Sequence, residues 1–181
     1  RVATLDLVSR GRAELGIGEG ATTTELHPFG RRFRDKRSVF EEAVEALIPM
    51  MTEPAAEYSG DFIDFPERNV LPKPIQKPHP PLWVACSKLE TIEQAGRWGM
   101  GALGFQFVSA ETARTWIDAY YAAFTKQLQP ITNHATNPNL AIVSPFMCAE
   151  TDDEAQRRAE GWSFFQLSLI HISEPTRHRR I

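Results

Sequence analysis

The chain has 181 residues, a formal net charge of −3, and 42% hydrophobic against 24% charged residues. That is enough chain and apolar content for one domain with a core. The mild negative charge leaves no basic footprint for nucleic acid or an acidic membrane surface. No apolar run approaches the ~20 residues that a membrane helix needs.

Cys86 and Cys148 sit in separate apolar runs without C-x-x-C spacing. They are expected as reduced, buried thiols of a cytoplasmic protein, not as a disulfide or a metal knuckle. The chain opens on Arg1 inside what reads as a helix, so the true N-terminus is expected upstream.

In chain order, Val2, Ala3, Leu5 and Val8 fall on one helical face, and Ser9-Arg10-Gly11 breaks the pattern. Arg12 to Ile17 alternates as a strand and ends at Gly18-Glu19-Gly20. Ala21 to Phe33 is polar and interrupted by Pro28 and Gly30, which predicts a surface loop. Asp35 to Met51 predicts a helix: Val39, Phe40, Ala43, Val44, Leu47 and Ile48 form its apolar stripe. Asp35 or Ser38 caps its start and Pro54 stops it. A turn at Tyr58 to Asp61 leads to a short extension through Phe62, Ile63 and Phe65.

Leu71 to Pro81 carries Pro72, Pro74, Pro78, Pro80 and Pro81 and reads as an extended connector. Leu82 to Cys86, Ala102 to Phe107 and Leu140 to Cys148 are apolar runs that predict strands buried on both faces. Between them, Leu89 to Trp98 and Ala110 to Leu128 predict helices, and a last helix begins at Asp152. Strict alternation of helix and strand argues a parallel α/β sheet with right-handed crossovers. A (β/α)₈ barrel and an open doubly wound sheet both satisfy that pattern.

Ligands of parallel α/β folds sit beyond the carboxyl ends of the strands. Three places qualify: Gly18-Glu19-Gly20, Ala85-Cys86-Ser87, and Gly104 to Ser109. A serine between a buried strand and a helix start puts a hydroxyl and free backbone N–H groups where an anion can bind. The competing reading of Ser87 is a plain N-cap. Gly16-Ile17-Gly18-Glu19-Gly20 lacks the remaining glycine and the helix opening of a dinucleotide fingerprint, and its glycines can equally serve only the turn. His27, His79 and His134 fall in loops and read as surface histidines. No metal-ligand spacing, nucleophile elbow or P-loop occurs, so no metal is expected.

Three segments together resemble the bacterial-luciferase-like flavin-dependent monooxygenases. Val2 to Gly20 resembles that family's helix, S-G-G-R turn and strand ending in G-x-G-x-G. Pro72 to Ser87, continuing to Gly99, is similar to its P-x-P-x-Q-x-P-x-P-P segment, next barrel strand and A-x-S loop. Ala149 to Ala155 is similar to its A-x-T-x-x-E-A turn into a late helix. The resemblance covers Arg1 to Gln166 and decides for the barrel. It implies part of a TIM (β/α)₈ barrel without its N-terminal strands and its C-terminal end.

The resemblance further implies reduced FMN, or a deazaflavin in one branch, at the carboxyl mouth of the barrel. Its phosphate would lie against Gly18, Glu19, Gly20, Ala85, Cys86 and Ser87. Many family members carry arginine where this chain has Glu19. The implied reaction is insertion of one oxygen atom from O₂ into a small organic substrate, with a flavin reductase as possible supplier and a homo-oligomer as the intact form. The alternatives are a deazaflavin-dependent oxidoreductase of the same fold and a flavin-binding protein without turnover. The catalytic groups are expected upstream of Arg1, so no catalytic residue carries over, and the fragment alone is expected to be inactive and not to remain a soluble monomer.

Leu167 to Arg177 reads LSLIHISEPTR, codon for codon a translation of the transposase adapter of sequencing libraries. Residues 167–181 are therefore expected to be foreign, leaving 1–166 as the central part of the barrel domain.

Overall fold

The computed structural model of the chain describes residues 1–104, 110–143 and 147–160. Two units are distinguished, residues 1–143 and 144–181. In the first, α1 (Val2–Ser9) leads to β1 (Leu15–Ile17). A short α2 (Thr23–Leu26), two single 3₁₀ turns and the long α3 (Lys36–Thr52) follow. Next come β2 (Ala56–Ser59), β3 (Asp64–Arg68), β4 (Leu82–Cys86), α4 (Leu89–Trp98), β5 (Gly101–Gly104), α5 (Ala110–Lys126) and β6 (Leu140–Ile142).

Strands β1, β4, β5 and β6 form one sheet in that order, every pair parallel. The α/β barrel-type architecture read from the sequence is therefore present as a run of neighbouring parallel strands, and the sheet is open among the described residues. Its register sets Ile17 opposite Val84, so Gly18 to Gly20, just past β1, run beside Ala85 to Ser87 at the carboxyl end of β4.

Several elements depart from expectation for local reasons. The predicted strict alternation fails between α3 and β4, where β2 and β3 form an antiparallel hairpin. Pro66 lies within β3, and residues this short give little periodic signal. The hairpin turn is held from a distance: the Glu42 carboxylate accepts the N–H groups of Asp61, Phe62 and Ile63 at 2.9–3.0 Å.

The predicted loop of 21–33 contains α2, because Glu25 reaches back to accept the N–H groups of Ala21 (2.6 Å) and Thr22 (3.0 Å). Asp35 takes the N-cap position of α3, but its carboxylate pairs with Arg32 at 2.7 Å instead of capping the helix. Extended Glu53, forced out of helical conformation by Pro54, ends it.

The predicted apolar face of α1 is not its buried face. Leu5 and Val8 are exposed, and the buried side chain is Asp6. Asp6 accepts from the Gln76 backbone N–H at 2.9 Å and side-chain amide at 2.7 Å, and that amide also donates to the Ala13 carbonyl at 2.7 Å. Burial pushes the Asp6 carboxyl up, but these hydrogen bonds outweigh it and hold the group below the usual aspartate value. One buried carboxylate thus ties α1, the approach to β1 and the proline-rich connector together.

Strand β4 is buried on one face and not on two: Leu82, Val84 and Cys86 are inside while Ala85 is exposed. The inward face packs on α3, α4 and α5 through Phe40, Val44, Ile48, Ile92, Ala95, Trp98, Trp116 and Tyr120. Strand β6 is three residues long and half-buried, since β5 is its one sheet partner among the described residues. The expected strand to Cys148 is not borne out at Val143, Met147 and Cys148, which are not strand; its stretch over 144–146, the expected strand end over 105–107 and the adapter-like tail lie outside the described residues.

The contact of α4 with α5 is very close. A Cβ at Gly96 would stand 2.6 Å from the Tyr120 carbonyl oxygen, so only glycine admits the α5 backbone there. Tyr120 is fully buried, with its hydroxyl 2.9 Å from the Met100 carbonyl and 3.0 Å from that of Asn137. The Asn137 amide in turn donates to the Leu82 carbonyl at 3.0 Å, fastening the connection before β6 to the start of β4.

In the second unit, α6 (Asp152–Ala159) begins on Thr151, whose hydroxyl accepts the Glu154 N–H at 3.3 Å. This is the turn expected from Ala149 to Ala155. Cys148 is exposed, contrary to the expectation of a buried thiol. No described helix is long and apolar enough to cross a membrane.

Candidate functional site

The two loops that the sequence singled out meet in one cleft. Gly18, Glu19, Gly20, Ala85, Cys86 and Ser87 all line it, and its volume is about 470 Å³. The parallel register of β1 and β4 places them there, at the carboxyl edge of the sheet. The approach is tight: a Cβ on Gly18 would stand 3.2 Å from the Ala85 Cβ. Gly20 has φ +80°, where a side chain would also press on Leu26 at 3.0 Å. Glycine is needed at both positions, for closeness at the first and for backbone conformation at the second. The third predicted place, Gly104 to Ser109, falls from Phe105 onward outside the described residues.

Ser87 is not the N-cap that the bland reading proposed. Lys88 occupies that position, and its N–H is accepted by the Thr91 hydroxyl at 3.2 Å. Ser87 therefore lies one residue before the cap, exposed and on the cleft wall. Beyond it, the Lys88 carbonyl accepts the N–H groups of Thr91 and Ile92, which leaves those of Leu89 and Glu90 without an acceptor among the described residues.

Cys86 also lines the cleft, but its side chain is fully buried. Burial pushes its thiol up to about 11, so it is protonated at neutral pH and is no nucleophile. With a chromogenic disulfide at pH 7.5, one thiol per native chain, Cys148, is expected to react promptly, and the second only after denaturation. Two fast thiols would show that β4 is not packed as described.

Glu19 carries the local electrostatics. Its carboxylate lies 3.4 Å from Lys36 Nζ and 3.4 Å from Arg37 Nε. Lys36 also donates to the Gly20 carbonyl at 3.1 Å. The carboxylate that would repel an anion is thus matched by cations from the start of α3. Glu25 is likewise engaged: the N–H groups of Ala21 and Thr22 hold its carboxyl below the usual glutamate value.

Lys36, Arg37, Lys88 and Thr91 were not singled out from the sequence. The run Arg31-Arg32-Phe33-Arg34-Asp35-Lys36-Arg37 was the available signal, and only folding brings its end to the Ser87 loop. The histidine reading needs correction too. His79 is buried, its Nδ1 facing the Pro80 carbonyl at 2.8 Å and its Nε2 accepting the Ala135 N–H at 3.1 Å. No group of histidine, cysteine and carboxylate able to hold a metal occurs among the described residues.

A parallel α/β sheet with a cleft at its carboxyl edge belongs to the class of α/β folds whose ligands bind at that edge. The luciferase-like monooxygenase family matches residues 1–179, and the chain belongs to that family. The flavin-dependent trigonelline monooxygenase oxygenase component of Acinetobacter baylyi is 24% identical over 172 residues, 90% of this chain and 44% of that protein. An F420-dependent glucose-6-phosphate dehydrogenase of Amycolatopsis mediterranei is 26% identical over 102 residues, 55% of this chain and 30% of that protein.

Among solved structures, the oxygenating constituent of 3,6-diketocamphane monooxygenase from Pseudomonas putida, in complex with FMN, superposes with a TM-score of 0.74 at 19% identity, covering 94% of this chain and 50% of that one. That likeness shows the fold. The chain spans less than half the length of the curated relatives it matches.

Proposed function

We propose that this chain forms the phosphate side of a flavin site in a flavin-dependent monooxygenase that uses reduced FMN. The single observation that carries the reading is that Gly18 to Gly20 and Ala85 to Ser87 line one cleft at the carboxyl edge of a parallel sheet. The residues fit the group. Gly18 leaves a gap that a Cβ would narrow, Ser87 and the start of α4 offer hydrogen-bond donors, and Lys36 and Lys88 offer charge.

Bound flavin would supply the oxygen chemistry, acting on O₂ and a small organic substrate. Ser87 would orient the phosphate, Gly18 would admit the cofactor close to the backbone, and the packed face of β4 would keep water from one side. Cys86, buried and protonated, is not placed to act as nucleophile. The catalytic acid or base belongs elsewhere in the intact protein, which would be fed by a separate reductase and would form a homo-oligomer.

A second reading, a deazaflavin-dependent oxidoreductase, is favoured by the F420-dependent relative. The experiment is anaerobic titration of the full-length protein with reduced FMN and with F420, followed by admission of O₂. Tight FMN binding with one substrate oxygenated per O₂ consumed supports the monooxygenase. Preference for F420 without O₂ uptake supports the dehydrogenase, and binding of neither overturns both.

A further inference from the structure

The segment from Ala21 to Phe33 supplies Ala21, Glu25 and Phe33 to the wall of the cleft. Its start is tied to itself: Glu25 accepts the N–H groups of Ala21 and Thr22, and a Cβ on Gly20 would stand 3.0 Å from the Leu26 side chain. Its end is tied elsewhere. The Arg31 N–H donates to the Leu26 carbonyl at 3.1 Å, and the Arg31 guanidinium donates through Nη2 to the Phe62 carbonyl at 3.0 Å.

Arg31 is set apart from the cations around it. Arg32 and Arg34 lie against Asp35, and Lys36 and Arg37 lie against Glu19. Arg31 is half-buried, has no carboxylate partner among the described residues, and directs its charge at a backbone oxygen in the tip of the β2–β3 hairpin.

That tip is a fixed point on α3. Glu42 accepts the N–H groups of Asp61, Phe62 and Ile63, and the Gly60 N–H closes the turn on the Ile63 carbonyl at 2.9 Å. A Cβ on Gly60 would stand 2.6 Å from Glu42 Oε2, so the carboxylate lies flush against the turn. About one helical turn further on, the Tyr58 hydroxyl donates to Glu45 at 2.6 Å. Phe62 is therefore held from two sides, its N–H by Glu42 and its carbonyl by Arg31.

A long side chain bonded in this way loses rotamer freedom and hydration, and a charge-assisted bond is strong enough to offset both. We propose that Arg31 is a positioning residue: it latches the cleft-lining segment to the hairpin tip, so that α3, through Glu42, holds the cleft wall in its binding shape. The identity of the ligand rests on the flavin reading. The route from tip to cleft is contiguous, through the Phe62 carbonyl, Arg31, the Leu26 carbonyl, and the Leu26 side chain against Gly20. Unlatching lets the wall open, and a ligand that needs the closed wall binds in proportion to the closed fraction.

The test uses the full-length protein and its variants Arg31→Met, Arg31→Lys and Glu42→Gln, with the melting temperature recorded for each. Hydrogen exchange reads the latch without any ligand. In Arg31→Met, exchange over residues 21–31 is expected to quicken about tenfold, the loss of one charge-assisted bond, while α4 and α5 keep their rates. Fluorescence quenching reads the consequence: affinity for FMN and for riboflavin should fall alike, by about fivefold, because shape and not charge is lost. Arg31→Lys, which keeps a donor for the Phe62 carbonyl, should restore most of it. Glu42→Gln cannot accept all the tip N–H groups and should act in the same direction, and the double variant with Arg31→Met should lose little more than the worse single change. Unchanged exchange over 21–31, additive losses in the double variant, or a loss confined to FMN (the mark of a phosphate ligand) each overturn the proposal. If the unaltered protein binds neither FMN nor riboflavin, the flavin reading falls, and the exchange measurement still decides the latch.

Discussion

Gly96→Ala is expected to lower the melting temperature by about 4–12 °C, although alanine is the better helix former. On propensity alone the exchange in the last turn of α4 would add up to ~1 kcal/mol of stability. The new Cβ would stand 2.6 Å from the Tyr120 carbonyl oxygen, 3.1 Å from the Ala123 Cβ and 3.2 Å from the Phe124 nitrogen. Two of those neighbours are backbone, so relief requires α5 to move as a body. Overpacking typically costs ~1–3 kcal/mol, and with backbone as the obstacle the upper end applies, which exceeds the propensity gain.

Displacing α5 also disturbs the buried Tyr120 hydroxyl and its contacts with Met100 and Asn137. Thermal unfolding followed by circular dichroism reads the effect. An unchanged or raised melting temperature would mean that α4 and α5 do not meet at Gly96.

Gly18→Val is expected to weaken FMN and riboflavin alike, by ~100-fold or about 2.8 kcal/mol. Even a methyl group at Gly18 meets the Ala85 Cβ at 3.2 Å, tighter than ordinary contact. Two further methyls must spread the loops or fill the cleft, and either removes the close backbone approach that a flat ligand needs. The loss is steric, so it should not depend on the phosphate. That separates it from the loss of a phosphate contact, whose effect would be confined to the phosphorylated form. Equilibrium binding of both ligands decides, and affinities within threefold of the unaltered protein would place the flavin elsewhere.

The main frame was legible because its signals are local and repeated. The apolar run Leu82 to Cys86, the glycine at the end of α4 and the amphipathic stretch of α5 each announce themselves within one element. The pairing of the Gly18 and Ser87 loops was legible as well, since the family resemblance set their strands as neighbours, and the parallel register puts them in one cleft.

What escaped depends on distant partners. The β2–β3 hairpin is fastened by Glu42, roughly a helix and a turn earlier in the chain. His79 is buried because Ala135 approaches it from the connection before β6. The buried face of α1 is set by Asp6 and Gln76, far apart in sequence, and an apolar periodicity count cannot see a buried carboxylate. Nothing local singles out Lys36 and Arg37, and only the folded chain brings them to Glu19 beside the cleft.

The most direct measurement is a crystal structure of the full-length protein grown with FMN. The account predicts phosphate density within hydrogen-bond distance of Ser87 Oγ, with the Lys88 side chain turned toward it and the ring system passing over Gly18. A phosphate seated away from both the Gly18 and Ser87 loops would contradict it.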